Sequence, residues 1–268
     1  MIYVGGKTKL RYQVTLALLK QANLYKVPYR EPFVGGGGIF KFLTSRNITM
    51  QAWINDRDIS VVCWWYAVKH FPNALTAGIL KTPNTVDSFN RARNEILALK
   101  IMPTAPRDIV HVAVLKHILQ YLSFSALGVR SGGAKGAKYI TQRPLHKHGP
   151  RIRTWHEQIK TVDVRCTNAD FTSLIEDKRP CVLYLDPPYT EQTHGKKVYQ
   201  HEFTVDDHKR LASALQKTSH PWVLSYDDAP LIRDLYSWAT IAETGKQWYS
   251  TSGPRRVKSM KSELLITP

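Results

Sequence analysis

The chain is poor in cysteine, poor in acid and without a long apolar run, and each shortage excludes something. Its three cysteines, Cys63, Cys166 and Cys181, are odd in number and far apart, with no CxxC pair and no matching histidine pattern. Neither a disulfide framework nor a metal site is expected from them. No apolar stretch reaches the roughly 18 residues that a membrane helix needs. The opening MIYVGGKTKL has no apolar run of secretory-leader length, so a cytoplasmic protein that avoids membranes is expected. Internal repeats and low-complexity tracts are missing too. No GK[ST] follows the glycine cluster, which excludes a nucleoside-triphosphate loop.

Acid is scarce where base is plentiful: 38 Lys and Arg stand against 21 Asp and Glu, a formal net charge of +17. A surplus of that size attracts polyanions, and nucleic acid is the commonest one. Its distribution decides whether this is a binding surface or general solvation. Between Arg130 and Arg165 nine basic residues face only Glu157 and Asp163. Arg130, Lys135, Lys138, Arg143, Lys147 and Arg151 are the expected nucleic-acid contacts there, with Arg255, Arg256 and Lys258 as a second cluster before the last strand. Any one of them alone reads more readily as an ordinary solvated charge. His146, His148 and His156 lie in the same stretch and are expected to meet phosphate or solvent, not metal.

At 268 residues, 43% of them hydrophobic, the chain has the makings of one large domain or of a core with an insertion. Helical spacing of Leu10, Val14, Ala17 and Leu18 predicts a first helix over about 7–23. A short strand at VPYREPF then runs into Gly35 to Gly38 and a helix through Phe40 and Leu43. Alternation of Ile48, Met50, Ala52 and Ile54 predicts a second strand ending at Asn55-Asp56, which completes a βαβ unit. From Ile59 to Ser125 the pattern is helical, in three segments, and the Gly- and Lys-rich stretch beyond it reads as a hairpin or long loop. Strands return at VDVRC, CVLYLD, WVLSYD and ELLIT, with a helix at TVDDHKRLASALQ. This predicts an α/β sheet domain over 1–60 and 161–268, interrupted by a helical, basic region over 61–160. Trp53, Trp64 and Trp65 are expected in the core.

Two stretches carry chemistry. In EPFVGGGGIF, Gly35 and Gly37 let the backbone approach a ligand, while Phe40 stands where a dinucleotide fingerprint needs glycine. Asp56, about 20 residues on, occupies the strand-end position from which an acid reaches ribose hydroxyls. In CVLYLDPPY a buried strand stops on Asp186, and Pro187 and Pro188 stiffen the segment after it. The Asp186 carboxylate and a rigid carbonyl offer two acceptors beside the ring of Tyr189, which suits a planar group bearing an NH2.

EPFVGGGG, LDPPY and the opening YVGGK resemble the Dam-type DNA adenine-N6 methyltransferases. INDRD, NADF, YQHEF, WVLSYDD and ELLIT match further, in that family's motif order and over nearly the whole chain. The resemblance implies a Rossmann-like sheet using S-adenosylmethionine, with an inserted, mostly helical target-recognition domain. It implies that Tyr3 and Lys7 border the cofactor, that Phe33, Gly35 and Gly37 lie against it, that Asp56 takes its ribose, and that Asp170 and Phe171 hold its adenine. Asp186, Pro187, Pro188 and Tyr189 would grip an adenine flipped out of double-stranded DNA, with Asp186 also bordering the cofactor. A monomer without metal is expected. Tyr3 departs from the usual tryptophan and NADF from a GDF-like turn. LSFSALGVRSGGAKGA follows the recognition hairpin only loosely, so the target sequence stays open.

Three alternatives stand beside this reading: methylation of cytosine N4, methylation of adenine in RNA, and a catalytically inactive DNA-binding protein. Asp186, in place of the serine that usually starts a cytosine-N4 motif, favours adenine. Cys181 follows Pro180 but precedes its strand, so it is read as structural and not as a cytosine-C5 nucleophile.

Overall fold

Parallel strands connected by helices must cover both faces of their sheet, and this chain does so with two apolar layers. The computed structural model describes residues 7, 10–131, 133–134, 148–189, 203–245, 247–250, 258–261 and 263–268. Strands β1 (Tyr29–Glu31), β2 (Gln51–Asn55), β3 (Asp163–Thr167), β4 (Val182–Leu185) and β5 (Trp222–Asp227) run parallel to one another. β6 (Thr240–Glu243) and β9 (Glu263–Thr267) join antiparallel, giving a seven-stranded sheet of order β3-β2-β1-β4-β5-β9-β6. β7 (Gln247–Ser250) and β8 (Lys258–Lys261) form a separate antiparallel pair. This is a Rossmann-like sheet, as the motif order implies.

The period of two sorts side chains between the layers. Val182 and Tyr184 of β4 join one cluster, while Leu183 and Leu185 join the other. The first layer comprises α1 (Arg11–Gln21), α2 (Gly38–Ser45), α3 (Ile59–His70), α4 (Pro72–Lys81), α5 (Val86–Ala98), α6 (Pro106–Leu122) and α7 (His148–Ile159). The helical region therefore shares one continuous apolar cluster with a face of the sheet. The second layer is α8 (Thr172–Glu176), α9 (Val205–Lys217) and α10 (Pro230–Leu235). Local signals set the helix starts: Asp58 caps α3 by accepting from Ser60 N (2.9 Å), Pro106 opens α6, and Thr204 with Asp207 closes a capping box on α9.

Several expectations need correction. The second strand begins at Gln51 and not at Ile48, and Met50 before it is 51% exposed. Helices α4 and α7 leave little trace in the sequence pattern: α4 buries only Leu75 and Ile79, and α7 only His148, Ile152 and Ile159, too sparse a stripe to stand out. The stretch after α6 does turn back, with an antiparallel bridge between Ser123 and Ala134. Trp64 and Trp65 are fully buried as expected, but Trp53 is only half-buried, with the Arg165 guanidinium 4.0 Å above its ring. His148 does not face solvent: it is buried, 2.9 Å from His117 through their ring nitrogens. His156 donates from Nδ1 to the Val68 carbonyl (3.0 Å). His146 lies outside the described residues. No described helix is long and apolar enough to cross a membrane.

Candidate active site

Because β1 to β5 run in one direction, their carboxyl ends meet along one rim, and the strand order reverses between β1 and β4. A crevice opens at such a switch point. Here it is a cavity of about 520 Å³, within the range of small-molecule sites.

The turn after β1 forms its floor. Gly37 N donates to Val34 O (2.6 Å), and Gly35 and Gly37 take positive φ values of 43° and 59°. Of these two glycines only Gly35 lines the cavity. Gly37 serves the turn instead: a Cβ there would come within 2.2 Å of the Trp65 ring. Trp65 in turn donates from Nε1 to Gly35 O (3.0 Å).

Asp56, at the end of β2, accepts Gly35 N on Oδ2 (2.8 Å) and Asp58 N on Oδ1 (2.9 Å). Each oxygen keeps acceptor capacity for a ligand. Burial, and then the neighbouring Asp58, push its carboxyl up to about 6. Asp58 is held by Lys116 of α6, an ion pair of 2.7 Å in which the side chains are 6% and 5% exposed. That pair ties the rim to the helical region.

Beyond β3, Asp170 accepts from Thr172 N, Thr172 Oγ1 and Arg210 Nη2 (3.1, 2.8 and 2.9 Å), all on Oδ1. Among the described residues no bond of Oδ2 competes with a ligand at that end. Phe33, Phe171 and Phe203 line the cavity with ring centres 5.5 to 5.6 Å apart, an apolar wall for a flat ring.

Asp186 ends β4 and faces the same cavity, as does Pro188. Its Oδ1 lies 2.7 Å from Lys7 Nζ and accepts from Ser225 Oγ (3.2 Å). Burial outweighs the Lys7 ammonium and raises its carboxyl to about 6, which leaves it ionised at neutral pH. Pro187, next in the chain, is buried. Tyr189 donates to Glu263 Oε2 (3.0 Å), and Lys7 Nζ stands 4.5 Å over its ring. Close by, Glu31 is buried, accepts from Tyr29 OH (2.7 Å) and is pushed up to about 8 by desolvation. An ionised acceptor, an aromatic wall and the further carboxylates of Asp56, Asp58, Asp170 and Asp207 thus converge on one crevice.

The chain matches, over residues 3–248, the family model described as D12 class N6 adenine-specific DNA methyltransferase. It belongs to that family. A curated relative is the type II methyltransferase M.MjaIII of Methanocaldococcus jannaschii, 22% identical over 228 residues that cover 80% of this chain and 78% of the relative. The protein is therefore an adenine-specific DNA methyltransferase with a Rossmann-like sheet, and the cytosine-N4 alternative falls away.

Of the residues singled out in the sequence of this methyltransferase, Phe33, Gly35, Asp56, Asp170, Phe171, Asp186 and Pro188 line one cavity. Lys7 reaches it through Asp186. Arg130, expected among the nucleic-acid contacts, lines the cavity as well. Arg151 is exposed on α7 and Lys258 lies on β8. Tyr3, Lys135, Lys138, Arg143, Lys147, Arg255 and Arg256 lie outside the described residues. Sequence reasoning missed Arg57 and Arg210, which also line the cavity. Arg57 stands inside the INDRD motif, which could have pointed to it; the position of Arg210 in mid-helix carries no signal.

Proposed function

We propose that the protein is a Dam-type enzyme that moves a methyl group from S-adenosylmethionine to the N6 amine of an adenine flipped out of duplex DNA. The observation that carries this reading is the convergence of Asp56, Asp170, Phe171 and Asp186, from the ends of three different strands, on one cavity. The donor set suits a cationic nucleoside: Asp56 for ribose hydroxyls, Asp170 Oδ2 for an exocyclic amine, Phe33 and Phe171 for the purine, with Gly35 and Gly37 shaping the turn. Lys7 reaches the same site through Asp186, and the role of Tyr3 beside the cofactor rests on the resemblance alone. When bound, the cofactor supplies an electrophilic methyl on a sulfonium.

The protein's own part is to hold and orient the amine. Asp186 and the Pro187 carbonyl accept its two hydrogens, which turns the nitrogen lone pair out of the ring and toward the methyl. Pro188 stiffens the segment and Tyr189 presents an aromatic surface to the extruded base. Once the new bond exists, the surplus proton passes to Asp186 and on to solvent.

Region 61–160 is the target-recognition part, in which Arg130, Lys135, Lys138, Arg143, Lys147 and Arg151 meet the duplex, joined by Arg255, Arg256 and Lys258. The enzyme acts as a cytoplasmic monomer without metal. Transfer of tritium from labelled S-adenosylmethionine to adenine in duplex DNA tests the reading, and modified-base sequencing reveals the target. An Asp186→Ala variant with near-native turnover refutes it.

A further inference from the structure

We infer that Arg210, on α9, is a positioning residue for the methyl donor: it fixes the Asp170 carboxylate and the Phe171 ring, and so sets the preference for a cofactor that carries an adenine amine. The inference rests on the reading that Asp170 and Phe171 hold that adenine.

Arg210 lines the cavity from the second turn of α9. Its guanidinium spans two carboxylates: Nη2 donates to Asp170 Oδ1 and Nη1 to Asp207 Oδ1, both at 2.9 Å. Its Cζ lies 5.0 Å from the centre of the Phe171 ring, within the range of a cation–π contact. One side chain thus touches both residues of the Asp170-Phe171 pair. The far anchor is itself fixed, because Asp207 Oδ2 accepts Thr204 N (3.0 Å) and Thr204 Oγ1 (2.8 Å) in the capping box of α9. A rigid planar fork therefore ties a helix cap to the turn after β3.

That tie sets the direction of the Asp170 carboxylate. Thr172 N, Thr172 Oγ1 and Arg210 Nη2 all donate to Oδ1. Donors converging on one oxygen fix the rotation of the group and turn the other oxygen toward a ligand. Burial raises the Asp170 carboxyl, but the hydrogen bonds from Thr172 and Arg210 outweigh it and hold the group below its usual range. It therefore stays an acceptor. An acceptor of fixed direction separates an amine from a carbonyl: adenine N6 donates to it, whereas a 6-oxo group sets a second acceptor against it. Folding has little stake in the arrangement. Arg210 and Asp170 are 49% and 42% exposed, and ion pairs that open to water add little stability.

The test is calorimetric binding of S-adenosylhomocysteine and of S-inosylhomocysteine, in which a carbonyl replaces the amine, to the native chain and to Arg210→Gln. The native chain is expected to prefer the adenine form by about tenfold or more. In Arg210→Gln that preference falls to about threefold or less, and KM for S-adenosylmethionine rises by more than kcat falls. Arg210→Lys keeps a charge near Phe171 but lacks the fork. It gives an intermediate preference, and it serves as the test should the glutamine variant melt below assay temperature. A merely structural role would weaken both ligands alike. That outcome, or a preference within about twofold of native in both variants, overturns the inference. Asp170→Asn separates the two readings. If it abolishes or inverts the preference while Arg210→Gln keeps it, the positioning role fails and the proposed function stands. If the native chain binds both ligands alike, or Asp170→Asn keeps the preference, the reading of Asp170 itself fails and the inference falls with it.

Discussion

The rim of the sheet and the helical region handle charge in opposite ways. At the rim, Lys7, Asp186, Asp58 and Lys116 are each less than a fifth exposed and sit within 2.7 Å of a partner. On α7, Arg151 and Arg153 are exposed, and just past it Lys160, 48% exposed, pairs among the described residues with its neighbour Glu157 alone. Buried charges in low dielectric act through particular partners, and each is hard to replace. Exposed ones are screened within about 10 Å at ordinary salt and act as a sum. Chemistry belongs to the first kind, polyanion affinity to the second.

Substitutions can break that contrast. Asp186→Ala has the largest expected effect: methyl transfer falls by about a thousandfold, measured by tritium incorporation, while S-adenosylmethionine affinity by calorimetry changes little. Comparable losses from an exposed arginine would erase the distinction. Next is Lys116→Met, which takes from the buried Asp58 an ammonium 2.7 Å away and is expected to cost about 3–5 kcal/mol in urea unfolding. Lys160→Met, at the surface, should cost less than about 1 kcal/mol.

Acidity sharpens the same contrast. In the role we propose for it Asp186 accepts hydrogens as a carboxylate, and burial lifts its carboxyl to about 6, above the usual range. Activity is therefore full above that value and falls about tenfold per pH unit below it, read from the kcat profile. DNA affinity, set by arginines and lysines, should not follow that limb. The smallest effect is that of Arg151→Ala: DNA affinity drops about twofold to fivefold near physiological salt, and the salt dependence becomes shallower by about one phosphate.

Most of the rim is legible in the sequence. Asp56 and Asp186 each end a run of β-forming residues, and in a parallel sheet such ends share one side, so their meeting comes from topology. Gly37 has a role the sequence does not show, because its positive φ serves the turn and the close approach to Trp65, a residue distant in the chain. His148 misleads for a similar reason: a histidine in a basic stretch looks solvated until His117 of α6 is found against it. Arg210 is invisible because it acts on Asp170, forty residues earlier, through a helix face.

The sequence by itself determined the family, the order of the strands β1 to β5 and β9 with most of the helices between them, and the chemical character of the acceptor after β4, because short motifs and period-two patterns are properties of neighbouring residues. The tertiary structure alone decided which charges share partners: that Lys7, from the start of the chain, stands between Asp186 and a glutamate of the last strand, and that Lys116 holds Asp58. Those partnerships join segments far apart in the chain. Their strength depends on burial and on distances that only the folded sheet sets.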